Sequence, residues 1–204
     1  MLIRMKKIYI LSLVSMLTLF AGQHLFAQTV LIKTSEGEIK IELYAKKAPI
    51  SVANFLKYVD EHLYDNGTFF RVVRSDNQLN NPIKIQVIQG GVGDEKSKKS
   101  YPPIQLETTQ KTNIKHKNGT ISMARSEPNS ATSSFFICIE DQPQLDYGGK
   151  RNPDGQGFAA FGKVVNGMDV VKKIQQRKTK MSDELKQPQL LIEPVKIISI
   201  ERVK

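Results

Sequence analysis

Apolar and polar residues alternate in two neighbouring stretches near the start of the chain. The alternation runs over 30–32 and again over 39–43, and a polar, glycine-containing turn at 35–38 separates the two. A period of two puts apolar side chains on one face of a strand. The pattern therefore predicts a β-hairpin with one buried face.

A helical spacing follows this hairpin. Between Val52 and Leu63, apolar residues recur at i, i+3, i+4, i+7 and i+11, which is the pattern of an amphipathic helix. Pro49 suits the first turn of that helix, where its missing N–H is not needed. A second, shorter helix fits residues 168–175.

The rest of the chain consists of short apolar runs separated by turn-forming and polar residues. The runs are 69–73, 85–88, 120–124, 135–139, 158–165 and an alternating final stretch, 195–203. About eight short strands and two helices predict a mainly β fold, a closed eight-stranded antiparallel barrel capped by two α-helices. Long polar connections are expected at 74–84, 93–101, 146–156 and 177–193, and we interpret 74–84 and 177–193 as inserted loops.

The first 27 residues differ from the remainder. Arg4, Lys6 and Lys7 are followed by thirteen uncharged residues, 8–20, and then by small residues up to Ala27. This is the layout of a secretory signal peptide, which predicts an exported, periplasmic or extracellular domain at 28–204. The alternative is an uncleaved anchor, but the apolar run is shorter than the ~20 residues that a spanning helix needs. We expect no membrane span after processing.

Composition and charge narrow the function classes. With 40% hydrophobic and 25% charged residues, the chain is neither disordered nor a multi-span membrane protein. The net charge is +10, and removal of the first 27 residues leaves 27 basic and 20 acidic residues, a net charge of +7. Basic residues cluster only at 96–99 and 172–180, without interleaved aromatic residues, so we expect no nucleic-acid partner. The lone cysteine, Cys138, cannot form an internal disulfide, and its apolar surroundings predict a buried side chain.

Familiar catalytic constellations are missing from the sequence. Beyond residue 27 only His62 and His116 remain, and neither has metal-ligand or triad spacing. The chain contains no GxSxG, HExxH, P-loop or CxxC motif, so we expect no metal and no cofactor. What stands out instead is Arg71 within an apolar strand, Gln89 before a glycine pair, and a strand that contains Phe136.

Five segments taken together resemble the cyclophilin-type peptidyl-prolyl cis/trans isomerases. They are Phe-Phe-Arg-Val-Val at 69–73, Val-Ile-Gln-Gly-Gly at 87–91, Ile-Ser-Met-Ala-Arg at 121–125, Ser-Ser-Phe-Phe-Ile at 133–137 and Phe-Gly-Lys-Val at 161–164. They occur in the order of the family's signature segments, and the resemblance runs from about residue 29 to residue 175 and includes the last strand. Residues 145–157 look like a divergent bacterial branch of that family.

The resemblance implies a mechanism without a nucleophile. Twisting an Xaa-Pro bond breaks amide resonance, and the barrier is ~18–20 kcal/mol. As the bond twists, the prolyl nitrogen regains a lone pair, so a fixed cation that donates a hydrogen bond there stabilises the twisted state. By resemblance, Arg71 takes this role, and Gln89 helps to position Arg71 and the substrate carbonyl.

The same resemblance implies a binding groove. It assigns the apolar wall around the proline ring to Val87, Phe136 and Leu145, and it places Ala124 and Arg125 beside the main chain of an extended peptide. The remaining substrate contacts that it implies are at two positions where this chain departs from the family, Gln86 and Ser134.

These departures concern binding more than catalysis. The family usually carries Phe where Gln86 stands and Gln where Ser134 stands, so we expect weakened substrate binding. Further departures are Val87 for Met, Phe70 for His, Gln144 for an aromatic residue and Phe158 for His. The link at 74–84 is also longer than usual, which predicts a modified groove edge.

We therefore expect a monomeric, cofactor-free isomerase that acts on proline-containing segments of exported polypeptides. The first alternative is a binding module that holds extended proline-containing chains with little or no catalysis. Gln86 and Ser134 favour that alternative, whereas Arg71 and Gln89 favour the enzyme. The second alternative, a structural adaptor, has only the basic clusters in its support.

Overall fold

A computed structural model describes residues 28–79, 81–92 and 101–203 of the chain. The predicted signal peptide and its cleavage position lie outside these described residues. No helix among the described residues is long and apolar enough to span a membrane.

The described chain contains nine strands and three helices, with two additional single 3₁₀ turns. The strands are β1 Gln28–Thr34, β2 Gly37–Leu43, β3 Thr68–Val73, β4 Val87–Gly91, β5 Thr120–Met123, β6 Phe135–Cys138, β7 Ala159–Asn166, β8 Thr179–Ser182 and β9 Gln187–Val203. The helices are α1 Pro49–Asp60, α2 Thr109–Thr112 and α3 Met168–Gln175, and the 3₁₀ turns are Ser75–Asn77 and Pro143–Leu145.

Eight of the strands close into a barrel. Neighbouring strands pair antiparallel in the order β1-β2-β7-β5-β6-β4-β3-β9, and β9 pairs again with β1. The eight-stranded antiparallel barrel predicted from the sequence is thereby confirmed. Closure leaves the barrel strands no free edges, and their alternating apolar residues fill the interior.

The barrel core is rich in aromatic side chains. Phe55 of α1 contacts the rings of Tyr64, Phe135 and Phe161, with centroids 5.2–5.5 Å apart. All four rings are fully buried. Because α1 supplies Phe55 to this cluster, the helix packs directly onto the barrel interior, as the amphipathic pattern predicts.

The start of α1 is stabilised from a distant segment. No side chain caps the helix at Ala48. Instead, the buried carboxylate of Glu107 accepts hydrogen bonds from the N–H groups of Ile50 and Ser51 and from the Ser51 hydroxyl, at 2.6–3.0 Å. A carboxylate at this end satisfies free N–H groups and complements the helix dipole.

One expectation is wrong: residues 177–193 are not a polar loop. β8 pairs with the first part of β9, with Thr179 opposite Leu191 and Ser182 opposite Gln187. This β8–β9 hairpin extends the barrel, and it carries the first part of β9 alongside β3, where Arg71 lies opposite Leu190. The other interpreted insertion, 74–84, contains the 3₁₀ turn Ser75–Asn77.

Candidate active site

The pairing of β3 with β4 places two predicted catalytic residues side by side. Arg71 lies opposite Gln89 in the ladder. The Arg71 Nη1 atom donates a hydrogen bond to Gln89 Oε1 at 2.8 Å. The relationship that the sequence resemblance implies between these two residues therefore has a direct geometric basis.

A second glutamine, Gln189 of β9, completes the support of Arg71. Its Oε1 atom accepts hydrogen bonds from Arg71 Nε at 3.0 Å and from Arg71 Nη2 at 2.6 Å. Gln189 is itself buried, and its Nε2 atom donates to the Asn77 carbonyl at 3.1 Å. Sequence reasoning missed Gln189 because it lies within 177–193, the segment interpreted as a loop.

The Arg71 guanidinium is charged although its surroundings disfavour charge. Burial, together with the nearby positive charge of Arg151, lowers the pKa of Arg71 to about 10. Glu184 of the β8–β9 turn acts in the opposite direction. Since this pKa still lies well above neutral pH, Arg71 remains a cation that can donate hydrogen bonds.

A cavity of about 210 Å³ with an apolar wall and a polar edge opens beside Arg71 and Gln89. Its apolar wall includes Val87, Phe136 and Leu145, the three residues that the resemblance assigns to the proline ring. Ligand sites for drug-sized molecules are larger, roughly 300–1,000 Å³. The cavity thus has room for one small apolar side chain. We call it the proline cavity.

Behind Phe136, a buried histidine links three segments. The His116 ring stacks on the Phe136 ring, with centroids 5.9 Å apart and planes 15° apart. His116 Nδ1 lies 2.8 Å from Asp146 Oδ1, and His116 Nε2 lies 3.0 Å from Ser122 Oγ. The sequence gives no triad spacing, yet the fold brings serine, histidine and aspartate together.

This arrangement supports the cavity wall and offers no nucleophile to a substrate. Ser122 is fully buried and His116 is 1% exposed, so a substrate cannot reach the hydroxyl. Burial lowers the pKa of His116 and outweighs the opposing effect of Asp146. Burial opposes ionisation of Asp146, but hydrogen bonds from the His116 side chain and backbone outweigh it, and its pKa is lowered.

Comparison with known proteins settles the family. Residues 29–201 match the family profile described as cyclophilin type peptidyl-prolyl cis-trans isomerase/CLD. This chain belongs to the cyclophilin family. The resemblance drawn from the five sequence segments and the classification as a peptidyl-prolyl isomerase are both confirmed.

Curated bacterial peptidyl-prolyl isomerases align along most of their length. Peptidyl-prolyl cis-trans isomerase A of Dickeya dadantii is 41% identical over 182 residues, which cover 86% of this chain and 87% of that protein. An isomerase of Acinetobacter baylyi is 38% identical, with 90% of each chain covered. A cyclophilin of Cryptosporidium parvum, solved in the presence of the dipeptide Ala-Pro, superposes with a TM-score of 0.65 at 24% identity. It covers 87% of this chain and 99% of its own, and supports the fold.

The other predicted groove residues of this cyclophilin occupy different places. Ala124 and Arg125 line the proline cavity and also a polar cavity of about 420 Å³, where Ser134 lies. Gln86 is not part of the proline cavity wall. Its amide donates to Glu140 at 2.6 Å instead.

The Arg125 side chain holds the loop 146–156 and the residue that follows it, Gly157. It forms a two-pronged ion pair with Asp154, at 2.8 and 2.9 Å, and donates twice to the Gly157 carbonyl. Only 1% of this side chain is exposed. The predicted contact of Arg125 with a peptide can therefore involve its main chain, while the guanidinium fixes the loop.

The loop 146–156 brings a second arginine, Arg151, to the site, and no sequence motif pointed to it. Arg151 lines the proline cavity together with Arg71. Its Nη1 atom donates to Gln78 Oε1 at 2.9 Å and to the Ile83 carbonyl at 2.6 Å. The loop 146–156 and the segment 74–84 therefore meet at the edge of the cavity.

Proposed function

We propose that this cyclophilin isomerises Xaa-Pro bonds in exported polypeptides and that Arg71 is its catalytic residue. The observation that carries the proposal is the Arg71 guanidinium, held by Gln89 and Gln189 beside a cavity of about 210 Å³ that has an apolar wall. A fixed cation next to a pocket for one small ring is the combination that this reaction requires.

The catalytic effect comes from a preorganised hydrogen-bond donor. In the planar ground state, the prolyl nitrogen lone pair is delocalised into the carbonyl, and twisting localises it. An Arg71 N–H group directed at that nitrogen therefore binds the twisted state more tightly than the planar one. Because Gln89 and Gln189 already fix the guanidinium, little reorganisation is needed when the bond twists.

The other residues of the site are assigned to substrate binding. Val87, Phe136 and Leu145 hold the proline ring, and the main chain at Ala124 and Arg125 lies along the peptide. Apolar contacts bind the planar and twisted forms alike, so they lower KM without raising kcat. Acceleration is thus assigned to Arg71 and its two glutamines.

A weakly catalytic chaperone-like binder is the second candidate function. Gln86 lies outside the proline cavity wall, and Ser134 stands where the family usually has a longer glutamine. Both features reduce specific contacts to the peptide, but neither touches the Arg71 hydrogen bonds. The two candidates differ in a single measurable quantity, the isomerisation rate.

Replacement of Arg71 tests the enzyme. Arg71→Ala should lower kcat/KM for a short Xaa-Pro peptide at least about tenfold, a loss of ~1.4 kcal/mol or more in transition-state stabilisation. A protease-coupled assay measures this rate. Arg202→Ala is the matched control, since Arg202 pairs with Asp60 on the barrel surface. Equal rates for Arg71→Ala and an active parent would contradict the role of Arg71, whereas a parent with no rate above background would favour the binder.

Export is tested separately. The proposal rests on the basic residues, the apolar run and the small residues of the first 27 positions. Mass spectrometry of the protein recovered from its native host should show a chain that begins near Gln28. Recovery of a soluble cytoplasmic chain with Met1 intact would contradict export and leave the isomerase assignment standing.

A further inference from the structure

A polar edge on the proline cavity distinguishes this chain's site. Besides Arg71, the cavity wall contains Arg151 and Asn152, both supplied by the loop 146–156. The Asn152 Nδ2 atom is buried and has no hydrogen-bond partner among the described residues. A buried N–H donor without an acceptor is unfavourable, so a ligand that supplies an acceptor there gains affinity.

A second small cavity, also of about 210 Å³, continues from this edge. Arg71 and Arg151 line it too, together with Gln187 and Gln189 of β9. Gln187 Oε1 is buried and unpartnered among the described residues, and it suits the main-chain N–H of a bound peptide residue. We call this space the flanking cavity, because it adjoins the proline cavity at the two arginines.

The charges of these two walls are unbalanced. Neither cavity has an aspartate or glutamate among its described lining residues. Arg125 is neutralised by Asp154, and Glu184, which lines the polar cavity, raises the pKa of Arg71. Arg151 has only the neutral acceptors Gln78 and Ile83, with no carboxylate within ion-pair distance in the part of the chain that the structure describes.

From this arrangement we infer that the flanking cavity binds a carboxylate carried by a residue next to the substrate proline. A carboxylate there accepts hydrogen bonds from the planar guanidinium of Arg151, which lines this cavity. It also offsets the repulsion between Arg151 and Arg71. The inference rests on the proposed isomerase function and adds a substrate class: Xaa-Pro segments with an adjacent Glu or Asp.

Matched peptides test the preference without altering the protein. Two pairs of short Xaa-Pro peptides are used, and the two members of each pair differ only in carrying Glu or Gln. That residue precedes the proline in one pair and follows it in the other. NMR titration of the parent chain should give a Kd at least about fivefold lower for Glu than for Gln in one of the pairs, the size expected for a charge-assisted contact. The advantage should largely vanish in about 1 M salt, where the Debye length is roughly 3 Å.

Arg151→Met should abolish the Glu preference in that peptide pair, and Arg151→Lys should retain part of it. Lys150→Met removes the same charge from the neighbouring exposed position and should leave the preference intact. A Glu-to-Gln ratio within twofold in both pairs, or a preference that survives Arg151→Met, would overturn the inference. Exchange rates measured on the same samples report isomerisation, so an inactive chain that still prefers Glu would contradict only the proposed function.

Discussion

At the scale of single residues, the orientation of Arg71 depends on a contact that joins strands far apart in sequence. Gln189 accepts two of the Arg71 hydrogen bonds and is anchored through the Asn77 carbonyl. A long flexible cation can donate to the prolyl nitrogen only if its rotamer is held, and holding it costs side-chain entropy. In the proposed mechanism, Gln189 is therefore a positioning residue that supplies this restraint before substrate binds.

Substitution at Gln189 should reveal that restraint. Gln189→Leu keeps the size but removes the acceptor, so kcat should fall about three- to tenfold while KM changes less, the split expected when a transition-state interaction is weakened. Gln189→Glu preserves an acceptor for Arg71 and should recover part of kcat. In ¹⁵N NMR spectra, the Arg71 Nε–H signal should shift in Gln189→Leu. A rise in KM with an unchanged kcat would contradict a positioning role.

At the scale of elements, local patterns predicted the two longer helices well and missed the four-residue helix α2, Thr109–Thr112. The spacing expected for residues 168–175 is confirmed by α3, and Pro49 opens α1 as predicted. The periodicity continued to Leu63, but α1 ends at Asp60 because His62 adopts a left-handed backbone, with φ at +56°. Helix extent thus follows from nearby residues, except where a single backbone angle redirects the chain.

The β8–β9 hairpin could not be predicted in the same way. β8 is short, and Lys180 and Met181 are exposed on it, so it shows no buried face in the sequence pattern. Its partner is the extended first part of β9, which joins β3 after a register shift between Phe69 and Arg71. Pairing and register of this kind depend on the assembled sheet and leave little local signal.

The residues of the candidate site also differ in whether the sequence could indicate them. Arg71 and Gln89 lie on segments that match family signatures, so resemblance alone brought them together. Gln189 and Arg151 reach the site through the β8–β9 hairpin and a long loop, whose paths the sequence does not specify. The residues that we expect to tune orientation and substrate choice are thus those that needed the structure.

At the scale of the whole molecule, His116 ties the barrel wall to its connecting loops. It contacts Ser122 in β5, Phe136 in β6 and Asp146 in the loop that carries Arg151. Through these contacts, the proline cavity wall is continuous with buried groups of the barrel. A change in the charge of His116 would consequently act on stability and on the cavity together.

The direction of that effect follows from the pKa of His116. Burial lowers it below the ordinary histidine value of about 6.5. Between the lowered value and about 6.5, the unfolded chain binds a proton that the folded chain does not, so unfolding becomes more favourable as pH falls. The stabilisation from neutral His116 is fully present above about pH 6.5 and is lost as pH falls through the folded pKa.

Urea unfolding at a series of pH values from about 7.5 to about 5.5 tests this linkage, with a slope from one group of at most about 1.4 kcal/mol per pH unit. The range lies above the ordinary aspartate pKa of about 3.9, so the carboxylates contribute little to it. His116→Gln should flatten the pH dependence whatever its effect on absolute stability.

In NMR spectra of the parent, the His116 ring should stay neutral at pH values where an exposed histidine is protonated. A His116 ring that titrates at or above 6.5, or equal slopes for parent and variant, would contradict the prediction. Because the ring backs Phe136, kcat/KM of the parent should hold through the pH range of the slope and decline only at lower pH, as the folded His116 itself becomes charged.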